Sequence, residues 1–331
     1  MIIRTKAYPR AALIGNPSDG YFGKTIAFTF SDFAAEVTLY ETPELEILPT
    51  KRDESKFANI QALADDVRLF GYYGGIRLLK SAIKCFHGHC LSHGIQLHDR
   101  NFTIRYDSTI PGLVGLAGSS AIITACMRAL MTFYGVQIPL PQLANLIRAV
   151  ENRELGISAG LQDRVAQVYQ GLVYMDFDRN LMERQGYGGY ERLDPSLLPP
   201  VYIAYRTDLS EGSEVFHNSI RERFESGDPT VVSAMREWAK LTVAARKCLE
   251  ERNPQDLSRL MDRNFDLRAS LYKLSEGNLK MVEAARSVGA SAKFSGSGGA
   301  IVGTFTDDAM FDRLSAVLAK QRVKVLRPHI I

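Results

Sequence analysis

The first fifty residues read as short strand-like runs, some apolar throughout and some alternating apolar and polar. The pattern runs through "RAALIG" (10–15), "KTIAFTF" (24–30), "AAEVTLY" (34–40) and "LEILP" (45–49). A Gly/Pro/Asn/Asp-rich stretch, "GNPSDGYFGKT" (15–25), separates the first two and predicts turns. From about Ala58 to Gly94 the period lengthens. Ile76, Leu79, Ile83, Phe86 and Cys90 recur at gaps of three and four, which predicts a helix. "FTIRYDSTIP" (102–111) has the look of a strand and feeds "GLVGLAGSSAIITACMRALMTFYGV" (112–136), a glycine-rich turn followed by a helix apolar on most sides and therefore buried. Pro141 opens a further helix through Leu155.

"LVYMDF" (172–177) and "VYIAYR" (201–206) predict strands. Two or three helices fill 213–285, with Pro229 and Pro254 at helix starts. The chain then runs through a glycine turn, "SGSGGA" (295–300), into the strand "AIVGTF", a helix near 307–321 and a last strand, "VKVLRP". Strands and helices mix without a regular βαβ rhythm, so the expected class is α+β. A chain of 331 residues is too long for one ordinary core and predicts two domains. The proline pair Pro199-Pro200 places the boundary, giving residues 1–198 and 199–331.

Composition narrows the function more than the fold. With 46% hydrophobic and 23% charged residues the chain is expected to be soluble, and no apolar run approaches bilayer-spanning length. A net charge of +3 gives a nucleic-acid role no support. Four cysteines do not make a disulfide framework in a chain this long, and with no leader visible the expected compartment is a reducing cytoplasm. Neither repeats nor low-complexity tracts are present.

Three segments could carry phosphate chemistry. "PGLVGLAGSSA" (111–121) places four small residues, Ala117–Ser120, at the mouth of a buried helix, where converging N–H groups and roughly half a positive charge favour an anion. Ser119 and Ser120 could cap that helix, or offer a hydroxyl to a phosphate or to Mg²⁺. "SGSGGA" is a second candidate nest, or only a flexible hairpin. The two together could fold over a polyphosphate from two sides. In "ENRELGISAGLQDRV" (151–165), Glu151 ends an amphipathic helix and so opposes its dipole, an arrangement that suits a nearby cation. Asp163 falls in the first turn of the next helix, where it either serves chemistry or merely favours the dipole.

Two other stretches look at first like ligand motifs. Gly23-Lys24-Thr25 ends like a Walker A loop, but Ser18 stands where its first glycine belongs. "CFHGHCLSHG" aligns Cys85, His89 and His93 on one helical face. Yet Phe86 and Cys90 belong to the apolar stripe, no zinc spacing is completed, and the simpler reading is an amphipathic helix.

Taken in order, "PGLVGLAGSSA", "ENRELGISAGLQD" and "KFSGSGGAIVG" resemble the motifs of the GHMP small-molecule kinases, which include galactokinase, homoserine kinase, mevalonate kinase and phosphomevalonate kinase. The first matches Pro-x₃-Gly-Leu-x-Gly-Ser-Ser-Ala at every fixed position. "GNPSDGYFGKTI", "GDPTVVSAMREWAKL", "LMDRNFDLR" and "MVEAARSVGASAKFSGSGGA" further resemble the plant-type branch that phosphorylates the anomeric hydroxyl of glucuronic acid.

The resemblance implies a ribosomal-S5-domain-2-like N-terminal domain and a ferredoxin-like C-terminal one. It implies ATP held by Pro111, Gly115, Leu116, Ala117, Gly118, Ser119, Ser120, Ala121, Ser297 and Gly298. Mg²⁺ would sit on Ser120 and Glu151. Asp163 falls on the catalytic base, and Arg10 falls where the family points a Lys or Arg at the transferred phosphoryl and at that base. The sugar would meet Asp19, Asn16, Tyr21 and Gly298, with Asn16-Pro17 replacing the Glu-His pair of galactose-type kinases. On this view Lys24-Thr25 is a coincidence of composition, since 15–25 lies on the acceptor side. Arg10, Lys24, Arg164 and Arg206 are candidate partners for a sugar carboxylate. The same chemistry on another sugar or a mevalonate-like alcohol is the rival reading, and a GHMP-fold binder without turnover is another. The partners implied are ATP and a sugar acid, with no nucleic acid or membrane.

Overall fold

A computed structural model describes residues 1–50, 53, 59–61, 74–207 and 214–331, with the side chains of 214–219 excepted. Most of the N-terminal half of the helix expected over 58–94 lies outside these residues. The chain divides into two compact units. The first comprises Met1–Pro9, Phe33–Ile110 and Ala117–Val168; the second comprises Arg10–Asp32, Pro111–Leu116 and Tyr169–Ile331.

The first unit is a four-stranded sheet with helices packed on it. β1 (Ile2–Ala7) pairs antiparallel with β4 (Ala35–Thr42), β4 pairs antiparallel with β6 (Asn101–Ser108), and β5 (Glu46–Ile47) adds a short parallel edge. Ile3, Ala7, Val37 and Leu39 turn inward at alternate positions, as a half-buried sheet requires. α1 (Gly75–Ser92) and α2 (Gly118–Tyr134) pack together, and α2 also lies on β1 and β4. α2 is buried on most of its surface, as its sequence predicts, and ends on left-handed Gly135. α3 (Leu140–Ala149) does not run on to Leu155. It passes into one π-helical turn, Val150–Glu154, before α4 (Gln162–Tyr169).

The second unit contains two antiparallel sheets. The first runs β2 (Arg10–Ile14), β3 (Lys24–Thr29), β7 (Leu172–Asp176) and β8 (Gly189–Leu193), with the short helix α5 (Arg179–Gln185) between β7 and β8. The second has the order β10 (Lys293–Phe294), β11 (Ala300–Thr304), β9 (Val201–Tyr205) and β12 (Lys324–Leu326). Four helices, α6 (Glu214–Glu225), α7 (Pro229–Glu250), α8 (Pro254–Leu271) and α9 (Glu276–Arg286), fill the interval where two or three are expected. Asp228 and Asn253 cap α7 and α8 immediately before their N1 prolines. α10 (Asp308–Ala319) precedes β12, and Tyr202, Phe265, Met281, Phe294, Ile301 and Leu314 share one core.

The division differs from a single break at residue 198. Because β2 and β3 pair into one sheet with β7 and β8, residues 10–32 belong with 169–331. All four cysteines are free thiols, and no helix among the described residues is long and apolar enough to cross a membrane.

Candidate active site

In the first unit, α2 begins behind Ala117, which adopts the left-handed conformation at φ +63° and ψ 44°. That conformation costs an alanine about 1 to 2 kcal/mol, so something must hold it. Gln167 does so from α4, its Nε2 donating to the Ala117 carbonyl at 2.8 Å and to the Tyr8 carbonyl at 3.1 Å. The N-cap residue, Ala117, has no side chain able to cap α2. The Ser120 hydroxyl turns back onto the Ala117 carbonyl at 3.2 Å and does not cap an N–H. The first turn of an α-helix has no intrahelical acceptors for its N–H groups and carries the positive end of the dipole, so the geometry suits a phosphate.

The cation that Glu151 calls for is supplied within the protein. Glu151 sits on the π-helical turn, 3% exposed, and Arg164 reaches it from α4 with Nε at 2.8 Å and with Nη2. Both nitrogens bond the same oxygen, Oε2, so Oε1 accepts no hydrogen bond among the described residues. Nη1 of Arg164 donates to the Gly160 carbonyl at 3.0 Å and lies 3.4 Å from Asp163 Oδ2. One buried guanidinium therefore serves as counter-ion to both acids. Arg164 is committed to this role, which takes it off the roll of residues awaiting a sugar carboxylate. The Asp163 side chain keeps 21% exposure in the first turn of α4.

In the second unit the two glycine loops pack directly on each other. A β-carbon on Gly296 would stand 2.3 Å from the Gly115 carbonyl oxygen, and one on Gly115 (φ +70°) would stand 3.0 Å from Ser297 N and Gly298 O. Close backbone approach therefore accounts for these glycines, which the sequence left as either a nest or a flexible hairpin. Arg10, 5% exposed, ties the loops together. Its Nη1 donates to the Gly115 carbonyl at 2.7 Å and the Ser295 carbonyl at 2.9 Å. Gly115→Ala is expected to cost about 1 to 2 kcal/mol of unfolding free energy and to weaken nucleotide binding, because the methyl covers the Ser297 amide. Urea denaturation and a nucleotide titration check this. Binding retained in the destabilised variant would make the glycine purely structural.

Residues 15–25 form a tight turn, not a phosphate loop. Gly23 N closes onto Ser18 O at 2.9 Å, a strand rather than a helix follows, and Lys24 pairs with Asp176. Asn16 is 5% exposed and donates to the Phe294 carbonyl at 3.4 Å, while its Oδ1 has no partner among the described residues. Asp19 is partly exposed on a short 3₁₀ turn, Ser18–Tyr21. Tyr21 is 6% exposed, edge-on to Phe224 at 5.0 Å and beneath Arg221, and burial raises the pKa of its phenol. It is a packed residue with little ring surface to offer a ligand. Arg206, the remaining basic candidate, lines a cavity of about 200 Å³ with Tyr205, Thr207, Arg322 and Lys324.

Among the described residues no group of three or more His, Cys, Asp or Glu is placed to hold a metal ion. In the His/Cys helix, Phe86 and Cys90 are buried. The rings of His89 and His93 lie 4.1 Å apart, and His93 Nδ1 bonds to the His89 carbonyl.

Sequence reading missed three residues that shape these loops. Gln167 holds Ala117, as described above. Arg268 and Lys293 are 4% and 1% exposed, although as sequence they resemble surface charges. Lys293 Nζ donates to the carbonyls of Ala12 and Phe294 at 2.6 and 2.8 Å, and burial, with Arg268 and Arg10 nearby, pushes its pKa well below the usual lysine value. The one available signal is an apolar setting, "SAKFS", with no acid beside the lysine.

Known proteins resemble both halves of the chain. Residues 77–171 match the GHMP kinases N terminal domain and residues 245–322 match the GHMP kinases C terminal domain. The chain is 45% identical over 308 residues to probable glucuronokinase 2 of Arabidopsis thaliana and 42% identical over 306 residues to glucuronokinase 1 of the same plant. Each match covers 91% of this chain and 84% of the relative. A galactokinase from Lactococcus lactis, solved in complex with galactose, has the same fold. Its TM-score is 0.78 at 15% identity, over 99% of this chain and 93% of that one.

Proposed function

Because the chain belongs to the GHMP kinase family, whose members use ATP as phosphoryl donor, we propose that it is a sugar 1-kinase converting D-glucuronate to glucuronate 1-phosphate and ADP. The observation that carries this is identity above 40% with two glucuronokinases across 91% of the chain, well beyond the phosphate motifs.

Phosphoryl transfer asks the protein for alignment and charge neutralisation more than for covalent chemistry. In our reading the α2 N-terminus, Gly118–Ala121, and the loop from Pro111 through Gly115 and Leu116 to Ala117 cradle the phosphates, joined by the amides of Ser297 and Gly298. Asp163 takes the proton from the anomeric hydroxyl. That oxygen bonds to the γ-phosphorus as the bond to the β,γ-bridging oxygen breaks and ADP leaves. An anomeric hydroxyl is more acidic than an ordinary alcohol, so a carboxylate suffices as base. Arg10 fixes the two glycine loops and carries positive charge towards the transferred group. Asp19 and Asn16 hold sugar hydroxyls, Asn16 through its unpartnered Oδ1.

Ser120 and Glu151 fit a Mg²⁺ of the usual nucleotide-bound kind, which takes one or two protein ligands and draws the rest from phosphates and water. The Oε1 atom that Arg164 leaves unbonded is the available donor. When bound, such an ion neutralises phosphate charge. The cytoplasm is the compartment where ATP and a reduced thiol set both fit.

A panel of acceptors tests the reading. Glucuronate is expected to exceed galactose, glucose and mevalonate in kcat/KM by about tenfold or more, because a site built for a carboxylate leaves charged or polar groups unmatched with neutral sugars. Preference for mevalonate would overturn the acceptor assignment. Nucleotide binding without turnover of any acceptor would indicate a binding protein.

A further inference from the structure

We propose that Arg268 is a positioning residue that turns the amides of Gly296, Ser297 and Gly298 into an anion-binding nest. The inference rests on the kinase reading for the source of the anion, but its geometry stands independently. Arg268, 4% exposed on α8, donates from Nη1 to the Gly296 carbonyl at 2.9 Å and from Nη2 to the Ser297 carbonyl at 3.1 Å. Phe294 and Tyr272 hold the guanidinium, with its carbon 5.1 and 5.3 Å from their ring centres. The preceding carbonyl, of Ser295, accepts from Arg10 at 2.9 Å and from the Ala12 amide at 3.0 Å.

Peptide planarity converts these contacts into function. In a trans peptide the C=O and the following N–H point to opposite sides. The only cis bond among the described residues is Asn16-Pro17, so all three peptides here are trans. Arg268 anchors the carbonyls of Gly296 and Ser297 and so turns the N–H groups of Ser297 and Gly298 away from its guanidinium, while Arg10 and the Ala12 amide anchor the Ser295 carbonyl and turn the Gly296 N–H away from themselves. None of these three amides has an acceptor among the described residues, whereas the flanking ones do: Ser295 N bonds Ala300 O at 2.9 Å and Gly299 N bonds Asn278 Oδ1 at 2.9 Å. Three neighbouring donors in a buried loop, with cationic side chains behind them, make a site for an anionic oxygen. Gly115 contributes by having no β-carbon to cover the Ser297 amide. The two oxygens on offer are a nucleotide phosphate and the sugar carboxylate.

The test follows backbone ¹⁵N–¹H signals of Gly296, Ser297 and Gly298 in the full chain, titrated separately with AMPPNP and with glucuronate. We expect these amides to shift with one of the two ligands, which identifies the source of the anion. Arg268→Met is expected to abolish the shift and to raise KM for that ligand on the order of a hundredfold, with a smaller change in kcat. Arg268→Lys, which keeps the charge and donors on a single nitrogen, should recover part of both. Wild-type amides that respond to neither ligand overturn the proposal, whatever the fate of the methionine variant. So does a folded Arg268→Met protein with unchanged KM for both. A wild type that shows the amide shift with AMPPNP yet turns over no sugar acid would instead count against the kinase reading and leave the nest standing.

Discussion

Replacing Asp163 with alanine is expected to lower kcat by about 10²- to 10⁴-fold while leaving the Kd for ATP within a few-fold of wild type. The size follows from the role: a general base acts only as the proton leaves, so its loss falls on the transition state and hardly on ground-state nucleotide binding. Its position agrees with that role. Asp163 heads α4 with a partly exposed carboxylate and has the Arg164 guanidinium 3.4 Å away, so it is held in place without being sealed off. Asp163→Asn, which keeps the shape, should lose nearly as much as the alanine variant. Single-turnover kinetics with a parallel nucleotide titration separates the two effects. Near-normal turnover in either variant would remove Asp163 from the chemistry.

The second large effect is expected at Glu151. Truncation to alanine leaves Arg164 buried without its main counter-ion, and breaking a buried pair costs about 3 to 5 kcal/mol. Glu151→Ala should therefore lose that much unfolding free energy and also lose its response to Mg²⁺. A double variant separates the two roles. Glu151→Gln with Arg164→Met removes both charges and should regain most of the stability, because neither is left unpaired. It should remain inactive, because no carboxylate is left for the metal. Recovery of activity along with stability would reduce Glu151 to a structural role.

What the sequence discloses here follows from the range of the interactions involved. The loop 111–117 and the buried helix after it are written locally, in glycine spacing and an apolar run, and the structure starts that helix at Gly118. The prolines at 229 and 254 announce their helices in the same way. Glu151 declared its need for a cation by opposing a helix dipole. That Arg164 would meet it required knowing how the π-helical turn and α4 fold together. Arg268 and Lys293 were illegible for a related reason: each donates to backbone carbonyls, and no sequence position records which carbonyl a buried cation will reach. The interleaving of the two compact units along the chain was not legible, because strand pairing between β3 and β7 spans nearly 150 residues and no local composition records it.

The most direct test is to follow the reaction of the purified protein with ATP, Mg²⁺ and glucuronate by ³¹P and ¹H NMR. A new phosphomonoester signal is expected, with phosphorus coupled to the anomeric proton and growing in step with ADP. Phosphate attached at any other oxygen, or ATP that stays intact with this acceptor while another is consumed, would contradict a sugar 1-kinase.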